Sequence, residues 1–193
     1  MRAFGSFALL VSVFATLAPQ SSQMNQEPAL KPGQISFAIT TNSMAPTLIH
    51  GDLVASDVLY YQTHVPSRGD LIVLEVPSDK EIPQNVISVQ SDLVKRVVAV
   101  GGDVILLSKK TLRVNGVDIA EPYAHYEPVG GVVESGDFGP TKVPSGHYFV
   151  LGDNRSHSLD SRAFGTVAAD AIIGKPLYIV DSTEKNRIGR ELR

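Results

Sequence analysis

The chain of 193 residues has room for one domain with a sizeable core, or for a domain with a small appendage. A formal net charge of -3 gives no electrostatic case for nucleic acid as a partner, and the absence of cysteine excludes disulfides, thiol catalysis and thiolate metal sites. The 16 glycines and 12 prolines, set among Val, Ile and Leu runs, predict short strands and frequent turns.

The opening segment, MRAFGSFALLVSVFATLA (1–18), carries no charge from Ala3 to Ala18, with Arg2 and the terminal amine ahead of it. That order suits a secretory signal segment with small residues at Ala15 and Ala18, although cleavage after Ala18 would leave Pro19 next in line. As a membrane helix it falls just short of the roughly 17–25 residues usually needed. The reading adopted is a single N-terminal apolar helix retained as an anchor, with its positive end inside and the body of the protein across the membrane. Residues 19–33, PQSSQMNQEPALKPG, are polar and proline-bearing and read as a tether.

Strand-like segments then follow closely: QISFAIT (34–40), DLVAS (52–56), DLIVLEV (70–76), LVKRVVAV (93–100) and DVILLS (103–108). TLRVNGVDI (111–119) has Asn115-Gly116 at its middle, the strongest short hairpin signal. HYFVLG (147–152) and KPLYIV (175–180) complete the set, and no segment after the tether sustains an amphipathic helical period. The sequence therefore predicts a mainly β domain over 34–193, a compact antiparallel barrel or folded sheet. A looser β-rich excursion runs from about residue 104 to 145.

The stretch TTNSMAPTL (40–48) lies between two predicted strands and raises the question of its serine. Ser43 is an ordinary turn residue unless some other segment supplies a base. Of the five histidines, His50 and His64 lie in turn-like segments, His125 in the excursion and His147 at a strand entry. His157, within GDNRSHSLDSR, is the strongest of them as a base. Lys95 is the better candidate. On an alternating strand Leu93, Lys95, Val97 and Ala99 share one face and Arg96 points the other way. A lysine flanked at both i±2 positions by apolar residues either caps an exposed face or is buried there. If buried, desolvation disfavours its ammonium and lowers its pKa, and a neutral amine can take a proton from a serine hydroxyl.

Taken together, the motifs resemble those of the bacterial type I signal peptidases. Four blocks match in order: SMAPTL (43–48), RGDLIVLEV (68–76), KRVVAVGGD (95–103) and GDNRSHSLDSRAFGTV (152–167). The resemblance covers about residues 35 to 180. It implies Ser43 as nucleophile and Lys95 as general base. It also implies that the Thr41 hydroxyl assists the Ser43 N–H in stabilising the oxyanion, and that Ser158 hydrogen-bonds and orients the lysine amine. Asp153 with Arg96, and Asp160 with Arg162, correspond to structural ion pairs that hold the last block against the lysine strand. Met44, Leu93 and Val94 fall where the family lines a shallow substrate pocket. Two departures stand out: Ser156-His157 in place of Asp-Asn or Asp-Ser, and Gly101-Gly102-Asp103 in place of Pro-Gly-Asp. With one apolar segment, the two-span topology of some members does not apply.

The resemblance implies a membrane-tethered serine endopeptidase of the Ser–Lys type, on the outer side of the bacterial inner membrane. It would remove signal peptides from preproteins after small residues in an Ala-x-Ala pattern, with no metal or cofactor. The expected partners are preprotein substrates and the lipid bilayer, and not nucleic acid. Two other readings stand beside it: a specialised conjugation-type Ser–Lys peptidase, and a catalytically silent scaffold that binds signal peptides. A self-cleaving repressor would need a DNA-binding helix-turn-helix before the serine, and residues 19–33 are too short and too broken by proline to form one.

Overall fold

The computed structural model describes residues 30–75, 92–128 and 136–192. The apolar segment 1–18 and most of the tether lie outside the described residues. Among the described residues no helix is long and apolar enough to cross a membrane. The strands in chain order are β1 (Gln34–Ala38), β2 (Leu53–Asp57), β3 (Leu71–Glu75), β4 (Asp92–Val100), β5 (Val104–Ser108), β6 (Thr111–Val114), β7 (Val117–Ile119), β8 (Phe138–Lys142), β9 (His147–Leu151), β10 (Val167–Ala168) and β11 (Ile172–Asp181). A single helical turn, α1 (Ser161–Phe164), stands between β9 and β10.

Seven strands form one antiparallel sheet in the order β1-β2-β11-β3-β4-β9-β10, and four form a second in the order β7-β6-β5-β8. The fold is therefore mainly β, an antiparallel folded sheet with a smaller β-rich unit, as the strand spacing predicts. Strand β11 joins the two halves of the large sheet: Ile172 and Gly174 pair with β3, and residues from Lys175 onward pair with β2. The ladder is interrupted between Pro176 and Tyr178, an irregularity that suits a residue with no N–H to donate.

Two strands escaped the sequence reading. β8, FGPTK, contains Gly139 and Pro140 and reads as a turn, yet it pairs only with β5, at the edge of the small sheet where proline is tolerated. β10 is two residues long and too short to show alternation. The Asn115-Gly116 turn forms as expected, with φ of 54° and 81°, the left-handed pair that a two-residue hairpin loop requires.

Strand β4 is buried on both faces from Val94 to Ala99. Val94 packs with Val73, Met44 and Ile179 in one apolar cluster, while Val97 and the half-buried Leu93 pack with Ile72, Leu74 and Val150 in another. Lys95 stands opposite Ile72, with Leu93 and Val97 as its i±2 neighbours. The expected face breaks at Ala99. The β4–β9 ladder shifts between Val97 and Ala99, and Ala99 joins Val98 in the cluster that contains Ile105, Leu107 and Leu112 of the small sheet. The Gly101-Gly102-Asp103 turn that follows is held by the Asp103 carboxylate. It accepts hydrogen bonds from Val100 N at 2.8 Å, from Asn115 Nδ2 at 2.9 Å and from Arg68 Nε at 2.9 Å.

Candidate active site

The segment after β1 is folded back on itself before β2 begins. Gly51 N donates to Ile39 O, Ala45 N to Asn42 O and Leu48 N to Met44 O, all within 2.8–3.0 Å, so residues 42–48 form a compact turn. Met44 and Leu48 are fully buried within it, and each such side chain removed from water is worth about 1.5–3 kcal/mol. That burial draws the turn onto β4 and leaves Ser43 half-exposed at its surface.

Lys95 reaches the same point from the middle of the sheet. Its Nζ lies 2.8 Å from Ser43 Oγ and donates to Val94 O at 3.1 Å, and the side chain is only 1% exposed. Desolvation is the largest influence on this amine and carries its pKa from 10.5 down to about 8. The carboxylates of Asp160 and Asp153 act against that fall, and Arg162 adds to it. A neutral amine is therefore populated near neutral pH, within proton-transfer distance of a hydroxyl.

Thr41 lies beside this pair. Its hydroxyl donates to Ser43 Oγ at 3.2 Å and accepts from Ser43 N at 3.4 Å, so Thr41 Oγ1 and the Ser43 N–H converge on one small region. The neighbouring cleft, of about 520 Å³, is lined by Met44, Leu93 and Val94 together with Phe37, Ala38 and Ile39 from the β1 side. The β1 contribution was missed in the sequence, where QISFAIT carries only a strand signal.

The last motif packs behind Ser43. Arg96, on the face of β4 opposite Lys95, is bound by both oxygens of Asp153 at 2.8 and 2.7 Å, donates to Gly69 O at 2.7 Å and stacks 3.9 Å from the Tyr123 ring centroid. Asp153 also accepts from the Thr47 hydroxyl at 2.6 Å, which ties the serine turn to the lysine strand. Sequence reasoning passed over Thr47, since its partner is more than a hundred positions away. Asp160 is bound by Arg162 at 2.8 Å through each oxygen, accepts from Gly152 N at 3.0 Å, and caps α1 through Arg162 N. The Asp160–Arg162 pair thus lies within the last block, and it is Arg96–Asp153 that spans from that block to β4.

Gly152 and Asn154 bring this loop against Ser43. Asn154 N donates to Ser43 O at 3.1 Å. A Cβ on Gly152 would fall 2.4 Å from Ser43 O and 2.2 Å from Ser158 Oγ, so only glycine fits the approach. Ser158 is thereby placed next to the Ser43 main chain. Its hydroxyl is buried with no hydrogen-bond partner among the described residues, so the bond to Lys95 implied by the resemblance is not formed here. His157 is turned elsewhere, with Nδ1 3.4 Å from a Glu127 oxygen, and His125 approaches the other oxygen at 3.6 Å. Lys95, not His157, is the side chain brought to Ser43.

Comparison with known proteins identifies a family for the chain. Residues 9–180 match the family described as signal peptidase, peptidase S26. The chain is 34% identical over 149 residues to signal peptidase I T of Bacillus subtilis (strain 168), an alignment covering 74% of this chain and 72% of that protein. It is also 34% identical over 151 residues to signal peptidase IB of Staphylococcus aureus (strain Mu50 / ATCC 700699), covering 72% and 73% respectively. A crystal structure of a signal peptidase I from Enterococcus faecalis V583 aligns with a TM-score of 0.44 and 28% identity, over 58% of this chain and 97% of that one.

Proposed function

The chain belongs to the signal peptidase family, peptidase S26, and from that premise we propose that it removes signal peptides from preproteins with Ser43 as nucleophile and Lys95 as general base. Membership makes it a peptidase, a hydrolase of the peptide bond. The observation that carries the catalytic assignment is the 2.8 Å approach of the buried Lys95 amine to the Ser43 hydroxyl.

The neutral amine of Lys95 takes the proton from Ser43 Oγ as that oxygen attacks the scissile carbonyl. Negative charge develops on the carbonyl oxygen, and the Ser43 N–H and the Thr41 hydroxyl are its donors. In the free enzyme the Ser43 N–H donates to Thr41 Oγ1 and the Thr41 hydroxyl donates to Ser43 Oγ, so substrate must turn the Thr41 hydroxyl toward the oxyanion. The Lys95 ammonium then gives its proton to the departing amine, which leaves an acyl-enzyme on Ser43 and a neutral lysine. The same lysine removes a proton from water for deacylation. Burial lowers the pKa of the ammonium to about 8, so the proton is more readily passed on than from a solvated lysine.

The cleft beside Ser43 accounts for substrate choice. Met44 and Val94 are buried and Leu93 half-buried, and together they offer the cleft an apolar wall. Small side chains before the cut, in an Ala-x-Ala pattern, suit such a wall. Residues 1–18 anchor the enzyme by a single pass in the bacterial plasma membrane, with the catalytic domain on its outer side. Anchoring raises the effective concentration of preproteins embedded in the same bilayer.

Cleavage of a preprotein by the wild type and by Ser43→Ala, Lys95→Ala and His157→Ala tests this reading. Loss of turnover in the first two with retention in the third is expected. Near-normal cleavage by Lys95→Ala, with loss in His157→Ala, would transfer the role of base to the histidine.

A further inference from the structure

The segment that follows β11 returns to the turn that carries Ser43. After Asp181 the chain makes one 3-10 turn, Lys185–Arg187, which directs Arg187 inward until its side chain is 10% exposed. The guanidinium meets acceptors from a segment some 140 positions earlier. Nε and Nη2 donate to the two oxygens of Asp52 at 3.1 and 2.7 Å, Nη2 donates to Thr47 O at 3.0 Å, and Nη1 points to Pro46 O at 3.4 Å. Asp52 is itself fully buried and also accepts from Ser182 Oγ at 2.6 Å and Ile49 N at 3.0 Å.

The two carbonyls matter because of their place in the chain. They close the turn that begins at Ser43, and carbonyls at the end of a turn have no partner within it. Water would ordinarily take them. Here a buried cation does, through hydrogen bonds that its charge strengthens. Thr47 is therefore gripped twice: its hydroxyl by Asp153, which holds Arg96 beside Lys95, and its carbonyl by Arg187. Arg187 touches neither Ser43 nor the cleft, so any influence it has on reaction passes through the main chain of the turn.

Resting on the reading of Ser43 and Lys95 as the catalytic pair, we propose that Arg187 is a positioning residue, which fixes the serine turn against β4 so that Ser43 Oγ stays within proton-transfer reach of Lys95. The segment after β11 is then part of the catalytic apparatus and not only a closure of the sheet. A displacement of the reacting oxygen by about 1 Å is enough to cost about 100-fold in rate.

Arg187→Lys keeps the charge and loses the fork, since one ammonium cannot serve both the carboxylate and two carbonyls in the same geometry. In the full chain, kcat on a preprotein, counted per folded molecule, should fall about 10- to 100-fold while KM stays within about twofold. The double variant Asp52→Asn/Arg187→Gln leaves no carboxylate buried alone, guards against failure to fold, and should show the same loss. Leu112→Ala, in the core of the small sheet, is the control for lost stability and should leave turnover per folded molecule unchanged. Wild-type kcat in both Arg187 variants, or a change confined to KM, overturns the proposal. Ser43→Ala measured in parallel separates the two levels of argument. Full activity there removes the catalytic pair and this inference with it, whereas an inactive Ser43→Ala beside fully active Arg187 variants removes the inference alone.

Discussion

Replacing Lys95 by methionine exposes the cost of holding an amine in this position. The side chain is almost wholly buried, and its pKa falls from 10.5 to about 8. At about 1.36 kcal/mol per pH unit, that interval means the folded protein carries about 3 kcal/mol of penalty whenever the amine is charged. Between pH of about 8 and 10.5 the unfolded chain binds one more proton than the folded one, so stability rises with pH across that window. Below it both states are protonated and the penalty is present in full. Lys95→Met has a stem of similar length and no titrating group. Near pH 7 it should gain most of the 3 kcal/mol, offset by about 1 kcal/mol for each of the two hydrogen bonds lost at Ser43 Oγ and Val94 O. The decisive quantity is the difference between the two proteins, because every other titrating group cancels from it. Urea unfolding of both, from about pH 6 to pH 10, should show the methionine variant's advantage of about 1 kcal/mol falling by about 2 kcal/mol over the upper half of that range and so reversing in sign. An advantage independent of pH would mean that Lys95 is not desolvated in the folded state, and the argument for a neutral base would fail.

With Lys95 as the proposed base, the same amine sets the rate. With a pKa of about 8, kcat/KM should rise about tenfold between pH 7 and pH 9 as the neutral form fills, and a flat profile across that range would contradict the role of Lys95. Thr41→Val removes one of the two donors proposed for the oxyanion and should slow the chemical step by about 100- to 1,000-fold with little change in KM, measured by single-turnover cleavage. Arg96→Met leaves Asp153 buried without its cation and should destabilise the protein by about 3–5 kcal/mol in urea unfolding. Gly152→Ala places a methyl group 2.4 Å from Ser43 O. It should lower kcat at least 100-fold, and normal turnover would show that the loop can yield without moving the nucleophile.

Several features of this arrangement are local in origin and can be read from a short window of residues. Alternation marks β4, Asn115-Gly116 marks the β6–β7 hairpin, and apolar neighbours at both i±2 positions mark Lys95, as they do Arg96 and Lys175. Other features depend on partners brought from afar. The Thr47 hydroxyl has no sequence signal because Asp153 is supplied by the loop after β9, and Arg187 has none because Asp52 lies before β2. His157 sits in the most polar motif, yet it lies beside Glu127 and not at Ser43. β8 carries glycine and proline and becomes a strand only because β5 offers it an edge.

The order of chemistry-bearing residues, the strand period and the turn at Ser43 were determined by the sequence alone, because backbone preference and side-chain alternation act over a few neighbouring positions. What the tertiary structure alone decided is that Lys95 is dry, that its amine meets Ser43, and that Arg96, Asp153, Thr47 and Arg187 brace the two against each other. Desolvation and ion pairing are sums over everything within a few ångströms of a group, and here those neighbours come from segments as much as 141 residues apart.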